Sequence, residues 1–468
     1  MRLDALFRPR SIAVIGASEK PTIGRRLIVS LDRIGFTGPI YPINPNYPTV
    51  LGRTCYPSIA ETPEIPDVAV FCVGHRLVID AFAAAAERGI SGAVIYDGGF
   101  AERGEEGRHL QDRIAGICRQ AGIALCGPNC MGILNPIERN STYLQEIRDP
   151  EHLAGNVGIV SQSGGLCVSL LTDVSRFGFS HIVSCGNEAV LEASDFLEYL
   201  IDDPHTAVIG CFIETMRSPE RFAAALDRAA ARDKPVVALK VGRTARTRHA
   251  VMTHTAGQAG DSAAFSDMLR AHRAIEVADL VEFTEVLAAC QGARCPAGRR
   301  LGVVTSSGGL AELILDIAAA NDLEVPPLPP DLQADMHRLA GYITGDGNPL
   351  DAWGNGTFVP NLDHALAALQ ASPDHDAIVF LRDNGDVQPM DQPETALNYL
   401  RQFGRAAAAS DKPHYLLHTR AGRIDPAHVA CLREAGIPIV TGIRDGLGAI
   451  DALARWGTAK TDWKRNSV

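Results

Sequence analysis

A single histidine, His254, stands in the segment 251–265, whose sequence VMTHTAGQAGDSAAF consists mostly of small residues and glycine. A neutral imidazole nitrogen is a competent nucleophile toward phosphorus, so the segment is compatible with phosphoryl transfer. A loop of small residues would also let the imidazole travel between two sites. Histidines on loops are common at protein surfaces, however, and the segment alone leaves a plain surface histidine open as well.

A carboxylate that could serve this histidine, Glu214, ends the apolar run 207–214, AVIGCFIE. If that run is a strand of a parallel sheet, Glu214 lies at its carboxyl end, where ligand crevices form. There the carboxylate can accept the N–H of an imidazole and fix which ring nitrogen is free to react. A helix cap or a salt-bridge partner is the ordinary alternative for a glutamate in this position.

The first apolar run leads into a glycine-bounded loop, GASEKPTIG at 16–24. Glycine after a first strand lets the backbone approach a diphosphate, and the following helix N-terminus presents free N–H groups to the anion. The loop is not GxGxxG, and the second run continues into Asn44 and Pro45, where an NAD-binding unit carries an acidic ribose ligand. The pattern favours a nucleotide-like ligand whose ribose is not bound by an acidic side chain. Tight packing at Gly16 and Gly24 is the alternative.

A second loop, SQSGG at 161–165, combines two hydroxyls and two glycines at a predicted helix start. Such a helix N-terminus is a ready-made cradle for an oxyanion or a phosphate. An ordinary serine N-cap explains the same residues equally well. For the similar residues at 306–309 the cap interpretation is favoured, because nothing reactive lies near them in the sequence.

These residues need a scaffold that brings strand ends together. Short apolar runs alternate with longer helical patterns, which indicates parallel sheets covered on both faces. The predicted fold class is α/β with three domains, an N-terminal Rossmann-like domain followed by two flavodoxin-like parallel-sheet domains. GIVSQSGGL at 158–166 and GVVTSSGGL at 302–310 support the likeness of the last two. The predicted boundaries are 1–136 for the first domain, 137–154 for a polar linker, 155–292 for the second domain and 300–460 for the third.

Composition narrows the classes of function. The 468 residues carry a net charge of −11, which argues against an extended nucleic-acid surface. The eleven cysteines are scattered singly without CxxC pairs, which fits neither a disulfide framework nor a zinc site. No run has the length of a signal h-region or of a membrane span. The sequence therefore predicts a cytoplasmic protein that binds neither nucleic acid nor membrane and has no metal site of its own.

Several motifs together resemble a known family. SIAVIGAS, PIYPINPN, GPNCMGILNP, VGIVSQSGGL and THTAGQAGDSAAF follow one another as in the NDP-forming (ADP-forming) acyl-CoA synthetases, relatives of the succinyl-CoA synthetase α subunit. The resemblance extends over nearly the whole chain. It implies a CoA-binding domain, then a domain with a phosphorylated histidine, then a third ligase-type domain.

The resemblance also implies roles for particular residues. His254 matches the phosphorylated histidine, and Glu214 matches the carboxylate that orients it. The residues expected to hold CoA are Gly16, Ala17, Ser18, Asn44, Pro45, Val73, Gly74 and His75. The helix start expected to receive the phosphoryl group and the acyl substrate comprises Ser161, Gln162, Ser163, Gly164 and Gly165.

The chain departs from the family pattern in two places. Around the histidine, Thr253 replaces a serine, Ala256 replaces a glycine and Gln258 replaces an apolar residue. In the CoA region, CVGH at 72–75 stands where the family commonly has a proline-containing VPA. The first set changes small residues mostly for small ones, which keeps the catalytic interpretation. The second changes the residues that would contact CoA in this loop.

The sequence contains no P-loop and no segment with the pattern of an ATP-grasp domain. By resemblance, we expect an ATP-grasp β subunit to supply ATP or another NTP with Mg²⁺, in an α2β2-type heteromer that uses a small carboxylic acid. A non-catalytic subunit that binds CoA or acyl-CoA is the main alternative. An NAD-dependent oxidoreductase is disfavoured by Asn44 and Pro45.

Overall fold

The computed structural model describes residues 3–172, 176–255, 261–292, 294–353, 355–386 and 393–466. The predicted α/β class is confirmed, because three sheets built mainly from parallel strands alternate with helices along the chain. The chain divides into two compact units. One comprises Met1–Val174 and Gly178–Glu276, and the other comprises Ser175–Phe177 and Val277–Val468.

The first sheet has the strand order β2-β1-β5-β6-β7, and all its neighbours pair in parallel. Counting only these five strands along the chain, the order is 2-1-3-4-5, the doubly wound arrangement in which ligands bind beside the first strand. The elements are α1 (Asp4–Phe7), β1 (Ile12–Ile15), α2 (Ile23–Ile34), β2 (Ile40–Ile43), β3 (Thr49–Val50), β4 (Arg53–Thr54), β5 (Val68–Phe71), α3 (His75–Arg88), β6 (Gly92–Ile95), α4 (Glu105–Ala121) and β7 (Ala124–Cys126), with 3-10 helices at Ile59–Glu61 and Ala101–Arg103.

The sequence explains these elements locally. The five strands are short apolar runs in which every residue is buried, as strands covered on both faces must be. Helices α2, α3 and α4 end at Gly35, Gly89 and Gly122, which all adopt the left-handed conformation. Glycine reaches that conformation without a steric penalty, so each helix stops where the chain must turn back toward the sheet.

The second sheet has the order β14-β13-β12-β10-β11-β8-β9. Its elements are β8 (Gly132–Asn135), β9 (Asn140–Ser141), β10 (Ala154–Ser161), α5 (Gly164–Leu171), β11 (Phe179–Ser184), α6 (Ala193–Asp202), β12 (Val208–Ile213), α7 (Pro219–Ala231), β13 (Val236–Lys240), α8 (Ala245–Thr255), α9 (Ser262–Ala271) and β14 (Ile275–Val277). Strands β10 to β13 pair in parallel, whereas β8 is antiparallel to β11. The sheet is therefore mixed at one edge.

Two short strands before residue 154, β8 and β9, form the antiparallel edge of the second sheet. Strand β8 lies within the predicted first domain yet pairs with β11, and β9 lies within the predicted linker 137–154. Asn135 and Asn140 are buried, and their side-chain amides donate to backbone carbonyls of Leu6 and Phe7. The amide nitrogens of Asn135 and Asn140 thus tie this segment to residues 128 and 134 positions earlier in the sequence.

The third sheet, in the second unit, has the order β16-β15-β17-β18-β19, again 2-1-3-4-5 with all pairs parallel. Counted along the chain, strands β10 to β14 of the second sheet also have the order 2-1-3-4-5, which agrees with the similarity predicted for the last two domains from the two SGG loops. The elements are α10 (Leu280–Ala289), β15 (Leu301–Thr305), α11 (Gly308–Ala320), α12 (Pro330–Ala340), β16 (Leu350–Asp351), α13 (Phe358–Ala371), β17 (Ala377–Arg382), α14 (Pro393–Ala408), β18 (His414–His418), α15 (Pro426–Glu434), β19 (Ile439–Thr441) and α16 (Ile443–Asn466).

A buried ion pair stabilises the second unit. Glu285 on α10 accepts hydrogen bonds from Arg176 Nη1 at 2.8 Å and from the backbone N–H and hydroxyl of Thr441 at 2.7 and 2.8 Å. Glu285→Ala would leave a buried guanidinium without its carboxylate, which we expect to cost about 3–5 kcal/mol. Urea unfolding measures this loss. Val281→Ala is the matched control, since Val281 is exposed on the same helix; equal losses for both variants would contradict the prediction.

Candidate active site

The predicted CoA loops meet at the carboxyl edge of the first sheet. Gly16 follows β1 with a φ of +88°, and a methyl group there would lie 2.6 Å from Val73 Cγ1 and 2.8 Å from the Cys72 carbonyl oxygen. A methyl group at Gly24 would lie 2.7 Å from the Gly16 oxygen. Only glycine therefore allows the loops after β1 and β5 to approach so closely. We call the backbone around Gly16, bordered by Cys72 and Val73, the Gly16 cradle. It lies beside the first strand, where this strand order places ligands.

Asn44 has a structural role in this cradle. Its side-chain nitrogen donates to the Ala17 carbonyl at 2.7 Å, and its side-chain oxygen accepts from the Asn46 N–H at 3.0 Å. Asn44 thus ties the turn that contains Pro45 to the loop after β1. Ser18 is buried, and its hydroxyl bonds the Lys20 N–H and Tyr47. The structure brings these predicted residues together, with Asn44 supporting the loop in place of an acidic ribose ligand.

Strand β5, the third strand of the first sheet along the chain, leads into Val73, Gly74 and His75. Gly74 is the extended N-cap of α3, and His75 is the first helical residue. The His75 N–H donates to Asp97 Oδ2 at 2.5 Å, and ring atom Nδ1 lies 3.1 Å from the same oxygen. In the sequence, Asp97 is marked only by its place at the end of an apolar run.

A hydrogen-bond network joins the edges of the first and second sheets within the first unit. Glu102 accepts from the Gly99 and Phe100 N–H groups and, through Oε2, from Asn187 Nδ2 at 2.5 Å. These hydrogen bonds lower the pKa of Glu102 against the opposing effect of burial. The Asn187 side-chain oxygen accepts from Asn129 at 3.1 Å. Sequence analysis missed this network because each member is an ordinary polar residue of a loop.

The carboxyl edge of the second sheet carries the predicted phosphate and acyl residues. Ser161 ends β10, and Glu214 follows the neighbouring strand β12. Lys240 ends the next strand, β13, and its ammonium donates to the carbonyls of Glu214 and Val241, both at 2.6 Å. Burial lowers the pKa of Lys240, while the Glu214 carboxylate opposes that shift. Glu214 is only 8% exposed, so the edge holds a carboxylate and a cation largely screened from water.

Gln162, which the sequence predicts in the phosphate and acyl site, positions this edge through its side-chain amide. Its side-chain oxygen accepts from the N–H groups of Glu214 and Thr215 at 2.7 and 2.9 Å. Its side-chain nitrogen donates to Glu188 Oε1 and to the Thr215 carbonyl, both at 2.9 Å. All four hydrogen-bonding positions of the amide are thus in use. Gln162 instead fixes the segment that carries Glu214.

The N-terminus of α5 is open to an anion. Ser163 is its N-cap but makes no side-chain capping bond; its N–H donates to the Ser161 hydroxyl at 3.1 Å. Gly164 packs against the Met131 side chain, whereas a methyl group at Gly165 would lie no closer than 4.0 Å to its nearest neighbour, Ser163 Oγ. In α11, by contrast, the Ser307 side chain accepts from the Leu310 N–H, as the cap interpretation predicted. The α5 N–H groups therefore remain available to an oxyanion.

Glu188, which follows β11, is a second buried carboxylate that sequence analysis missed. It accepts from Gln162 and from the Ala193 N–H, and Oε2 lies 3.4 Å from Arg217 Nε. Burial raises the pKa of Glu188 to about 7, while its hydrogen bonds and Arg217 oppose the rise. The signal that could have found it is its place after a buried strand, the same argument that identified Glu214.

Glu188 makes stability depend on pH. An unfolded glutamate ionises near pH 4.3, whereas folded Glu188 keeps its proton up to about pH 7. The folded state therefore binds more protons between these values, and stability falls as pH rises through this window, by up to about 4 kcal/mol. In Glu188→Gln, the melting temperature should change less with pH between pH 5 and pH 8 than it does in the wild-type protein. Glu105→Gln is the control, because that side chain is exposed; an unchanged slope in Glu188→Gln would contradict the prediction.

The backbone of α8 includes position 254, but the side chains of Thr253 and His254 and the whole of Ala256 and Gln258 lie outside the described residues. Helix α8 follows β13, the strand beside β12, and its backbone approaches the 3-10 helix Ala101–Arg103. The helix that bears the predicted nucleophile thus begins at the edge that carries Glu214. It also reaches the loop that carries Glu102.

Known proteins and family models resemble this chain over most of its length. A model described as a CoA binding domain matches residues 10–136, and one described as a succinyl-CoA ligase like flavodoxin domain matches residues 154–290. The α subunit of acetate–CoA ligase [ADP-forming] II from Pyrococcus furiosus is 32% identical over 75% of this chain and 76% of its own length. The chain belongs to the ADP-forming acyl-CoA synthetase family. The fold and the family predicted from the sequence are therefore confirmed.

Two other relatives extend the comparison. Trans-feruloyl-CoA synthase FCS1, from an unknown prokaryotic organism, is 36% identical over 77% of this chain, and the match spans about half of that protein, 52%. The solved structure of the dinucleotide forming acetyl-coenzyme A synthetase 1 of Candidatus Korarchaeum cryptofilum, in complex with phosphate and ADP, aligns with a TM-score of 0.86 and 27% identity. That alignment covers 100% of this chain and 99% of the other. Among the described helices of this synthetase-family chain, none is long and apolar enough to cross a membrane.

Proposed function

We propose that the chain is the α-type part of an ADP-forming acyl-CoA synthetase, which converts a carboxylic acid, CoA and an NTP to acyl-CoA, NDP and phosphate. The observation that carries this proposal is the carboxyl edge of the second sheet. There the open N-terminus of α5 and the buried Glu214 are joined by Gln162. The helix N-terminus would stabilise the negative oxygens of a phosphoryl group, and the buried carboxylate would stabilise the positive charge of an imidazolium.

His254 is the proposed nucleophile. Its imidazole attacks the terminal phosphorus of the NTP, the bond to the leaving NDP breaks, and phosphohistidine forms. Glu214 accepts the N–H of the other ring nitrogen and stabilises the positive charge that develops on the ring. The buried ammonium of Lys240 holds the Glu214 backbone by a hydrogen bond to its carbonyl, which keeps the carboxylate at the strand end.

The α5 N-terminus is the proposed site of the second transfer. A carboxylate oxygen of the acid attacks phosphorus, and the bond from phosphorus to His254 breaks to give an acyl phosphate. The N–H groups beyond Ser163 stabilise the oxyanions of this step. CoA, held at the Gly16 cradle, then delivers its sulfur to the acyl carbon, and phosphate leaves with the electron pair.

The NTP is proposed to bind an ATP-grasp partner, in an α2β2-type assembly or within one longer chain. The match to only half of the feruloyl-CoA synthase supports a second part of this kind. Mg²⁺ bound there would neutralise charge on the phosphates. No described residue of this chain is assigned to the metal or to the nucleotide.

Reconstitution with an ATP-grasp partner tests the proposal. The chain and partner should release ADP and phosphate only when an acid and CoA are both present, and the acid panel should begin with acetate and ferulate, which the relatives' names indicate. CoA, and not NAD, should raise the melting temperature of the chain. CoA binding without any NTP-dependent labelling would instead identify a non-catalytic acyl-CoA-binding subunit.

A further inference from the structure

The loop that departs from the family pattern carries a histidine and carboxylate pair. Asp97 Oδ2, in the loop after β6, accepts from the His75 backbone N–H at 2.5 Å and lies 3.1 Å from ring atom Nδ1. One oxygen thus anchors both the start of α3 and the imidazole. Because a carboxylate only accepts, the contact favours the ring form that has its proton on Nδ1 and a free lone pair on Nε2.

The ring is held in place yet remains accessible. A methyl group at Gly99 would lie 2.5 Å from His75 Nδ1, so the imidazole packs directly on the backbone of the β6 loop. The φ of Gly99 is +105°, a conformation that other residues rarely adopt. The His75 side chain is still 38% exposed, and within the described residues Nε2 has no hydrogen-bond partner. A fixed imidazole with an open basic nitrogen is suited to receive a proton.

The location of the pair connects it with the chemistry. Val73, two residues before His75, forms one wall of the Gly16 cradle. Gly99, against which the ring packs, is followed by the 3-10 helix Ala101–Arg103 that α8 approaches. The imidazole therefore lies between the loop after β5, which borders the Gly16 cradle, and the loop after β6, which α8 approaches. The proposed last transfer releases the proton of the CoA thiol, and a base beside the cradle would accept it.

We propose that His75, oriented by Asp97, is the general base for the CoA thiol in the last transfer. This inference rests on the proposed function. A free thiol has a pKa of about 8.5 and is mostly protonated at neutral pH, while the thiolate is the nucleophile. His75 Nε2 takes the thiol proton as sulfur forms its bond to the acyl carbon. The bond from that carbon to the phosphate oxygen breaks, and the imidazolium then returns its proton to solvent. His75 is thus a catalytic residue and Asp97 a positioning residue.

The test isolates the thiol step in the complex of the chain with its ATP-grasp partner. The complex is phosphorylated with labelled ATP, freed of nucleotide and mixed with CoA and acetate, or with ferulate where acetate is inactive. His75→Ala should lower the rate of acyl-CoA formation at saturating CoA by about 10²–10³-fold, the range of general-base catalysis. The KM for CoA should change by less than about threefold, because the proton transfer lies in the transition state and not in binding. Labelling of the complex by ATP should be unchanged.

Two further measurements separate a base from a structural residue. Added imidazole should restore the rate of His75→Ala in proportion to the neutral imidazole present. Asp97→Asn, which keeps the shape but presents an amide N–H to Nδ1, should lose a similar factor by reversing the ring's tautomer. Asp97→Asn also tests the proposal if His75→Ala fails to fold. His109→Gln, at a mostly exposed histidine of α4, is the control and should be neutral.

The outcomes are distinct. A normal thiol step in both variants, or a raised KM for CoA with an unchanged rate at saturation, would overturn the role of His75 as base. Failure of imidazole to rescue a folded His75→Ala would also overturn it. If the wild-type complex is neither labelled by ATP nor able to form acyl-CoA, the proposed function itself fails and the inference fails with it.

Discussion

His254→Ala is expected to abolish incorporation of labelled phosphate from NTP into the chain. Removing the nucleophile removes the covalent intermediate altogether, so overall turnover should fall by about 10⁴-fold or more. The residual rate measures what positioning and the α5 cradle achieve without phosphohistidine. The chain is mixed briefly with the partner and labelled ATP. The label that survives acid is then compared with the label that survives base, because phosphohistidine is labile in acid.

His249→Ala is the matched control for this experiment. His249 is exposed on the same helix, five positions before His254, and should be replaceable without effect on labelling. Mass spectrometry of the wild-type complex during turnover should find the phosphoryl group on position 254. Label that persists in His254→Ala, or that lies on another side chain, would contradict the assignment.

Glu214→Gln is expected to lower phosphorylation and turnover by about 10⁴-fold, the scale seen when a carboxylate that orients a catalytic imidazole becomes an amide. The amide can present an N–H where the ring needs an acceptor, so the imidazole is held in the wrong tautomer. The amide also lacks the charge that stabilises the imidazolium. The fold should survive, because the Glu214 backbone remains bonded to Gln162 and Lys240.

A kinetic split distinguishes this role from a structural one. Phosphoryl transfer should slow in Glu214→Gln while the affinity of the complex for CoA stays constant, since the CoA cradle belongs to the first sheet. Glu220→Gln, at an exposed glutamate of α7 six positions later, should leave both quantities unchanged. A folded Glu214→Gln protein with normal labelling kinetics would show that Glu214 only pairs with Lys240.

The sequence alone determined which chemistry to look for. Apolar runs that end in glycine or in a polar residue identified the strands, and the loops after them identified Gly16, Ser161 and Glu214 as residues of strand ends. These inferences succeed because strand periodicity and glycine conformation are local properties, encoded within about ten residues of the site they position. The order of the motifs along the chain identified the family.

Tertiary structure decided which strand ends meet. The 2-1-3-4-5 order brings the loops after β1 and β5 together, although β2 lies between them in the sequence. The same kind of long-range pairing attaches β8 to β11 of the second sheet, about 50 residues further along the chain. Strand order depends on which sheet faces bury the most apolar surface together, and no window of neighbouring residues contains that information.

Tertiary structure also decided what the side chains do once they meet. Gln162 resembles a ligand residue in the sequence, but it uses its whole amide on residues 26 to 53 positions away. His75 and Asp97 are 22 positions apart, on two loops that become neighbours only when β5 and β6 pair. A hydrogen bond acts only over about 3 Å. The roles of these residues were therefore fixed when the sheets assembled, after local sequence had fixed where each strand ends.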